Sequence, residues 1–292
     1  MKLKVRSNKV EDIITFCKSE LYEWYQKNEA DNLIFILFSH VCGFSRTDII
    51  LRKDEYINES DLIHIYTAVS ELKAFKPVQY ILGETEFCGN LIKVNESVLI
   101  PRPETEELVN LIIRDNRNRE GLCILDIGTG SACIAVSLAK SLKNPNITGI
   151  DVSEKALETA SQNAIINDVS IQLIKEDVLA NPFIQYRLFA SSNIIVSNPP
   201  YIPCSEKTKM SRNVIDYEPG EALFVPDEDP LIFYERITDL TLKYSCKGTI
   251  MYFEINENYR EMLSDMLTGK GLKKYQFYKD IHGRERILKC II

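Results

Sequence analysis

The chain has 292 residues, of which 45% are hydrophobic and 26% charged, so we expect a globular protein of about two domains with a substantial core. Its net charge of −7 gives no general attraction to a phosphate backbone, which disfavours DNA or RNA as a stable partner. No apolar stretch approaches the ~18 residues of a membrane span and the cysteines form no C-x-x-C pair, so we expect a cytoplasmic protein without membrane contact, disulfide framework or metal site.

Residues 1–75 carry apolar side chains at helical spacing and almost no strand pattern. Ile13, Cys17 and Leu21 recur every four residues, and similar spacing continues through the segment. A turn at Thr47, a candidate N-cap, separates two of the helices. We predict a small all-α N-terminal domain that takes part in substrate recognition.

Residues 76–98 change to short runs of β type. The runs V-Q-Y-I-L, E-F-C-G and N-L-I-K-V are broken by Gly83 and Gly89. Glycine permits the tight turns that join antiparallel strands. We predict a β-hairpin linker here, with V-Q-Y-I-L extended.

In residues 99–292, apolar runs of strand length alternate with helical segments. Strands are predicted at residues 122–128, 147–152, 171–174, 194–197 and 249–255. Because such continuous apolar strands are buried on both faces, the pattern predicts an α/β domain with a mostly parallel, Rossmann-like sheet. Residues 274–279 and 286–292 flank a turn and are predicted to form an antiparallel hairpin at the C-terminus.

A glycine-containing loop leaves the first of these strands. Gly128 and Gly130 allow the backbone to approach a ligand closely, at the N-terminus of the helix that follows. Asp151 ends the next strand, where a carboxylate can accept hydrogen bonds from both hydroxyls of a ribose. These residues predict a cofactor that contains a nucleoside.

Two cofactors compete for this loop, NAD and S-adenosylmethionine. The pyrophosphate of NAD is usually held by G-x-G-x-x-G, but Cys133 stands at the third glycine position. A sulfonium cation needs no anion-binding loop and tolerates a carboxylate such as Asp126. S-adenosylmethionine is therefore favoured. Asp177 and Val178 follow the third strand and could contact the adenine, although Asp177 could equally be a surface residue.

The sequence Asn198-Pro199-Pro200-Tyr201 follows the fourth strand, at the same edge of the sheet as the glycine loop. Each proline removes a backbone donor and fixes φ, so the loop is stiff. It presents two acceptors, the Asn198 side-chain oxygen and the Pro199 carbonyl, to which a planar NH₂ group can donate both protons. Tyr201 could cover the flat face of that group. We predict that these four residues orient an NH₂ group for methyl transfer.

Four segments of the chain together resemble the release factor glutamine methyltransferase family of the PrmC or HemK type. They are P-V-Q-Y-I-L-G at residues 77–83, L-I-P-R-P-E-T-E at 99–106, and the loops at 126–131 and 198–201. Asn-Pro-Pro-Tyr also occurs in adenine-N6 and guanine-N2 methyltransferases, whereas I-P-R-P-E-T-E is similar only to this family. The resemblance extends from about residue 77 to the C-terminus and implies a class I methyltransferase domain over residues 99–292.

The resemblance implies transfer of a methyl group from S-adenosylmethionine to the glutamine of the Gly-Gly-Gln motif in peptide chain release factors. The cofactor contacts that it implies are Gly128, Thr129, Gly130, Ser131, Ala132, Asp151 and Asn198, with Arg102, Glu104 and Thr105 on the cofactor side. It also implies that residues 198–201 hold the glutamine. The residues alone leave open that Arg102 is only an ion-pair partner at the surface.

Three positions depart from the family pattern. Ala132 replaces a glycine of the cofactor loop, residues 225–230 replace a glycine-rich stretch, and Asn256 stands where glycine is common. We expect the change at Ala132 to be tolerated, and the other two changes to affect loop geometry on the substrate side without touching Asn198 or Asp151.

Two other functions remain open from the residues alone. A nucleic-acid amino methyltransferase could hold a flipped base in the same loop, but it would favour a basic face, which the acidic balance does not indicate. A non-catalytic nucleotide-binding or release-factor-binding module would have no need of the Asn-Pro-Pro-Tyr loop.

Overall fold

A computed structural model describes residues 5–180 and 186–292. The helices are α1 (Val10–Leu21), α2 (Lys27–Cys42), α3 (Arg46–Leu51), α4 (Glu59–Lys73), α5 (Val78–Leu82), α6 (Pro103–Asn116), α7 (Cys133–Ser141), α8 (Glu154–Ile166), α9 (Tyr186–Ser191), α10 (Arg212–Ile215), α11 (Ile232–Tyr244) and α12 (Arg260–Gly269). The strands are β1 (Glu84–Phe87), β2 (Asn90–Lys93), β3 (Cys123–Ile127), β4 (Asn146–Asp151), β5 (Ile171–Lys175), β6 (Ile194–Ser197), β7 (Ile202–Pro203), β8 (Phe224–Val225), β9 (Ile250–Glu254), β10 (Tyr275–Lys279) and β11 (Glu285–Ile291). Short 3₁₀ helices span Cys204–Lys209, Gly220–Ala222 and Glu257–Tyr259.

The elements form two compact units. The first contains the described residues up to Leu82 together with Arg212–Tyr217, and the second contains the described residues of Gly83–Ser211 and Glu218–Ile292. The first unit is helical, and residues predicted from helical spacing, including Ile13, Cys17 and Leu21, are fully buried in its core. The predicted helical character of the N-terminal region is therefore confirmed.

A short segment from far along the chain completes the first unit. The Tyr217 hydroxyl donates a hydrogen bond of 2.9 Å to the carbonyl of Ala74, which lies 143 residues earlier. The Arg212 guanidinium stacks over the ring of Phe75, 4.6 Å from its centroid. The first unit is thus discontinuous in sequence.

Two local expectations in the first unit are wrong. Val78–Leu82 is one helical turn, not a strand, and the backbone N–H groups of Tyr80 and Ile81 donate to the carbonyl of Pro77. Proline is well suited to the start of a helix, and this favours the turn over the β propensity of the following residues. Helix α3 is capped by Ser45 rather than Thr47, because Ser45 forms a reciprocal capping box with Asp48.

The second unit contains a seven-stranded sheet with the order β10-β11-β9-β6-β3-β4-β5. The five strands from β9 to β5 are parallel, and β11 pairs antiparallel with both β9 and β10. The predicted Rossmann-like sheet with an antiparallel C-terminal hairpin is therefore confirmed. Strands β1 and β2 pair antiparallel as a separate hairpin, Glu84 opposite Lys93.

Both faces of this sheet are covered by helices. Met251 and Phe253 of β9 pack in one apolar cluster with Tyr234 of α11. The intervening Tyr252 faces the other side, where its hydroxyl donates to Asp115 of α6 at 3.1 Å. Alternation along one strand thus serves two buried faces, as the continuous apolar runs predict.

The parallel arrangement brings four strand ends to one edge of the sheet. Strand β3 lies between β4 and β6, and β6 lies next to β9. Since parallel strands end at the same edge, the residues after β3, β4, β6 and β9 are neighbours there.

In the described part of the chain, every helix is too short or too polar to traverse a bilayer.

Candidate functional site

A cleft with an empty volume of about 1040 Å³ opens at this edge of the sheet. The predicted residues that line it are Thr105, Gly128, Thr129, Gly130, Ser131, Asp151, Asp177, Val178, Asn198, Pro199 and Pro200. Four other predicted residues, Arg102, Glu104, Ala132 and Tyr201, are not among those that line it. The structure thus brings the two predicted loops together in one cleft.

The glycine loop folds back against the end of β4. The backbone N–H groups of Gly128 and Thr129 both donate to the carbonyl of Ile150, at 2.9 and 3.0 Å. Gly128 and Gly130 have φ values of 69° and 53°, in the left-handed region that glycine adopts without steric cost. The two glycines are therefore required by the turn itself, independently of any ligand.

Ala132 shows why a glycine is common at its position. Its φ is 61°, and it is the residue that precedes α7. For an alanine this left-handed conformation costs about 1–2 kcal/mol, because Cβ crowds the following carbonyl. Its methyl group is fully buried, and this burial offsets part of the strain.

Asp151 ties the glycine loop to the end of β4. One carboxylate oxygen accepts from the Gly130 N–H at 2.9 Å, and the other accepts from the Ser153 N–H at 2.9 Å. Burial raises the pKa of Asp151, while these backbone hydrogen bonds oppose the rise. Each oxygen retains a free lone pair with which it can accept from a ligand hydroxyl.

Asp126 lies behind the loop and is completely buried. Oδ2 accepts a hydrogen bond of 2.6 Å from the Thr129 hydroxyl. Burial raises the pKa of Asp126 to about 7, and the nearby charge of Asp151 adds to the rise. The Thr129 hydrogen bond acts in the opposite direction.

Asp177 and Val178 lie at the far end of the cleft, after β5. Asp177 is exposed, and its Oδ1 accepts from the backbone N–H of Leu179 at 2.8 Å. Val178 is buried in the apolar cluster of the second unit. Asp177 therefore has an oxygen available to the cleft beside an apolar wall.

The Asn-Pro-Pro-Tyr loop is fixed at both ends. Before it, the Ser197 hydroxyl donates to the Ile127 carbonyl at 2.7 Å, which joins the ends of β6 and β3. Asn198 Nδ2 donates to the Thr105 hydroxyl oxygen at 3.2 Å. The Tyr201 hydroxyl donates to Oε1 of Glu254 at 3.1 Å. Tyr201 is therefore held from behind the cleft, and burial together with the charge of Glu254 raises the pKa of its phenol.

Glu254, which was not predicted from the sequence, is the last residue of β9 and only 1% exposed. Its Oε2 accepts from the Thr105 hydroxyl at 2.6 Å and its Oε1 from Tyr201. Burial raises the pKa of Glu254, and the two hydroxyl donors oppose that rise. The sequence signal for Glu254 is its position, because it is an acidic residue close to the end of a predicted strand that ends at this edge of the sheet.

Arg102 forms an ion pair with Glu218. Glu218 is also buried, and its Oε2 accepts from the Ile100 N–H at 3.2 Å. This pairing joins the segment before α6 to the segment that follows the Asn-Pro-Pro-Tyr loop. Arg102 is therefore an ion-pair partner, which the residues alone had left open. Glu104 follows it in the first turn of α6.

Comparisons with known proteins show the family to which this chain belongs. Residues 106–217 match the model of the methyltransferase small domain, and residues 15–83 match that of the PrmC N-terminal domain. A release factor glutamine methyltransferase of Flavobacterium psychrophilum is 42% identical over 91% of this chain and 93% of its own length. The chain belongs to the release factor glutamine methyltransferase family. A member from Bacteroides thetaiotaomicron is 40% identical over 94% of this chain and 98% of its own length.

A solved methyltransferase structure supports the fold of this family member. The catalytic domain of hMettl16, solved in complex with MAT2A 3'UTR hairpin 6, matches with a TM-score of 0.52. The two chains are 15% identical, and the match covers 80% of this chain and 82% of the hMettl16 chain. At this identity the likeness concerns the fold alone.

The departures from the family pattern have local structural partners in this chain. Val225 is buried in β8, which pairs with β7, and Asp227 Oδ1 accepts from the Ser205 N–H at 2.9 Å. The Asn256 side chain accepts from the Asn258 N–H at 3.0 Å and so begins a 3₁₀ helix. These side chains define the two loops at which the sequence departs from the expected family pattern.

Replacing Ala132 by glycine should change the free energy of unfolding by less than about 1 kcal/mol. Relief of the positive φ offsets the lost methyl burial and the greater entropy of glycine in the unfolded chain. Ala135→Gly is the matched control, because Ala135 is equally buried but lies within α7. It should cost about 2 kcal/mol in chemical denaturation, from helix propensity and lost burial together. Equal losses in the two variants would contradict strain at Ala132.

Replacing Asp126 by asparagine should flatten the pH dependence of stability between about pH 4 and 7. The folded pKa of about 7 lies above the usual aspartate value of 3.8, so the folded state binds the proton more tightly. The stability that this proton contributes is complete below about pH 4. It is lost as the pH rises through 7, by up to ~1.4 kcal/mol per pH unit. Urea denaturation at several pH values should show the shallower slope in Asp126→Asn. Parallel curves for the two proteins would rule out the raised pKa.

Proposed function

We propose that this protein transfers a methyl group from S-adenosylmethionine to the side-chain amide of a glutamine in a peptide chain release factor. Family membership over 91% of the chain supports this activity. The observation that carries it is the single cleft lined by Asp151 and the glycine loop at one end and by Asn198 and Pro199 at the other. A nucleoside cofactor and a planar amide can meet between them.

The cleft fits S-adenosylmethionine better than a phosphate-bearing cofactor. Among the described residues that line it there are four carboxylates, those of Asp151, Glu176, Asp177 and Glu221, and no lysine or arginine. Carboxylates repel a pyrophosphate but tolerate a sulfonium cation and accept hydrogen bonds from hydroxyl groups. We propose Gly128 to Ser131, Asp151, Asp177 and Val178 as the cofactor-binding residues, with Thr105 and Asn198 at the reacting end.

Methylation of an amide requires orientation more than basicity. The amide lone pair is delocalised, and two hydrogen bonds from its N–H groups to fixed acceptors can localise and aim it. Asn198 Oδ1 and the Pro199 carbonyl are those acceptors in our proposal. When bound, S-adenosylmethionine supplies an electrophilic methyl group. The amide nitrogen loses one proton to solvent after it has been methylated, so no strong base is required at the loop.

The substrate extends well beyond the amide. We propose that residues 1–75, within the unit that matches the PrmC N-terminal domain, contact the release factor outside the cleft. A release factor acts during translation, so the proposed place of the reaction is the cytoplasm.

Methyl mapping tests the activity directly. The protein is incubated with labelled S-adenosylmethionine and a release factor, and the methyl group is located by mass spectrometry. We expect it on the glutamine of Gly-Gly-Gln, and a release factor with glutamate at that position should remain unmethylated because a carboxylate has no N–H donors. Label found only on nucleic acid would refute the proposed substrate.

Asp151→Ala should weaken S-adenosylmethionine binding by about 2 kcal/mol, as the loss of charge-assisted hydrogen bonds does. Isothermal titration calorimetry measures the dissociation constant. Asp265→Ala, at an exposed position on α12, is the control and should bind as the wild type does. Unchanged affinity in Asp151→Ala would remove this residue from the cofactor site.

Asn198→Ala should lower the single-turnover rate by about 10² to 10³, comparable to the loss of one oriented oxyanion-hole donor. Asn198 accepts from the reacting NH₂ group, so the fold and most of the cofactor affinity should survive. Rapid-quench measurement at saturating cofactor and release factor isolates the methyl-transfer step. A rate near that of the wild type would refute orientation by Asn198.

A further inference from the structure

Four polar side chains form a continuous chain of hydrogen bonds behind the reacting end of the cleft. Asn198 Nδ2 donates to Thr105 Oγ1 at 3.2 Å, and Thr105 Oγ1 donates to Glu254 Oε2 at 2.6 Å. The Tyr201 hydroxyl donates to the other carboxylate oxygen at 3.1 Å. The members come from α6, from the end of β9 and from both ends of the Asn-Pro-Pro-Tyr loop.

The direction of each hydrogen bond follows from the proton inventory of this chain. A threonine hydroxyl has one proton, and the carboxylate of Glu254 has none to donate. Thr105 therefore gives its proton to Glu254 and can only accept from Asn198. An accepting hydroxyl must face the amide nitrogen of Asn198, not the amide oxygen.

The orientation of the Asn198 amide is consequently fixed. If the amide were rotated by half a turn, its oxygen would face the Thr105 oxygen with no proton between them. In the observed orientation Nδ2 is engaged by Thr105, and Oδ1 remains as the acceptor. An acceptor is what an incoming NH₂ group requires, whereas a rotated amide would present its own NH₂ group instead.

Glu254 is suited to this task by its burial. It is 1% exposed, so water does not compete for its oxygens, and each oxygen already accepts a hydroxyl proton. Through Tyr201 the same carboxylate also holds the far end of the loop. One buried side chain thus controls both the polarity of Asn198 and the anchoring of Tyr201.

We propose that Glu254 is a positioning residue for methyl transfer, which acts through Thr105 to hold the Asn198 amide with Oδ1 towards the substrate NH₂ group. This proposal rests on the proposed function, because it requires a substrate that donates N–H protons to Asn198. Glu254 does not itself touch the reacting atoms. Its effect should therefore appear in the rate of methyl transfer and not in the binding of cofactor or release factor.

The test compares Thr105→Val with Thr105→Ser. Valine has nearly the shape of threonine but cannot relay the hydrogen bond, whereas serine keeps the hydroxyl. Thr105→Val should lower kcat about tenfold or more, as the loss of one orienting hydrogen bond does, while the KM for the release factor changes less than about twofold. Thr105→Ser should retain a kcat close to that of the wild type. Glu254→Gln should resemble Thr105→Val, because a glutamine amide can donate to Thr105 and reverse the relay.

A double-mutant cycle separates positioning from general damage to the cleft. If Thr105 acts through Asn198, adding Thr105→Val to Asn198→Ala should leave the single-turnover rate unchanged. An equal loss in both backgrounds would overturn the proposal, as would a Thr105→Val enzyme with wild-type kcat. The Thr105 pair decides the matter even if Glu254→Gln fails to fold, which thermal unfolding would reveal.

The same measurements distinguish this proposal from the proposed function. If the wild type methylates the release factor glutamine but Thr105→Val does so equally fast, only the positioning role is overturned. If the wild type transfers no methyl group to a release factor, the proposed function is overturned, and the positioning role with it.

Discussion

The parallel pairing of β3 with β4 on one side and β6 on the other is the constraint on which the site depends. Residues that are 21 to 70 positions apart in sequence become neighbours because these strands end together, as the Gly130–Asp151 and Ser197–Ile127 hydrogen bonds show. The cleft is lined largely by loops that leave these strand ends, so the buried sheet fixes where each loop begins.

Local patterns were sufficient to predict the sheet, the glycine loop and the position of Asn198, because each is encoded within a short stretch of residues. Glu254 and Glu218 could not be predicted in this way. Their partners lie 149 and 116 residues away, so neither pairing can be read from the surrounding sequence. The helical turn Val78–Leu82 was missed because β-type residues were given more weight than the preceding proline. Polar pairing between distant residues and the start of one short helix were thus not predicted from the sequence.

Buried carboxylates recur around the cleft and share one solution to desolvation. Asp126, Glu218 and Glu254 are each at most 6% exposed, and each accepts hydrogen bonds from hydroxyl, backbone or guanidinium donors. Burying an acidic group costs free energy unless such donors replace water. The donors to Glu218 and Glu254 come from distant segments, so these two carboxylates also join those segments, whereas Asp126 accepts from Thr129 within its own loop. The hydrogen bonds that offset the cost of burying these carboxylates therefore also hold segments together at this edge of the sheet.

The discontinuous first unit has a consequence for how the chain acquires its structure during synthesis. Tyr217 bonds to Ala74 across 143 intervening positions, so the N-terminal helices cannot reach their final set of contacts until most of the polypeptide has left the ribosome. Contacts of such large sequence separation form slowly, because a long loop must close first. For the same reason no single proteolytic cut divides the chain into its two units. A fragment that stops at Leu82 would lack six residues of the unit to which it belongs.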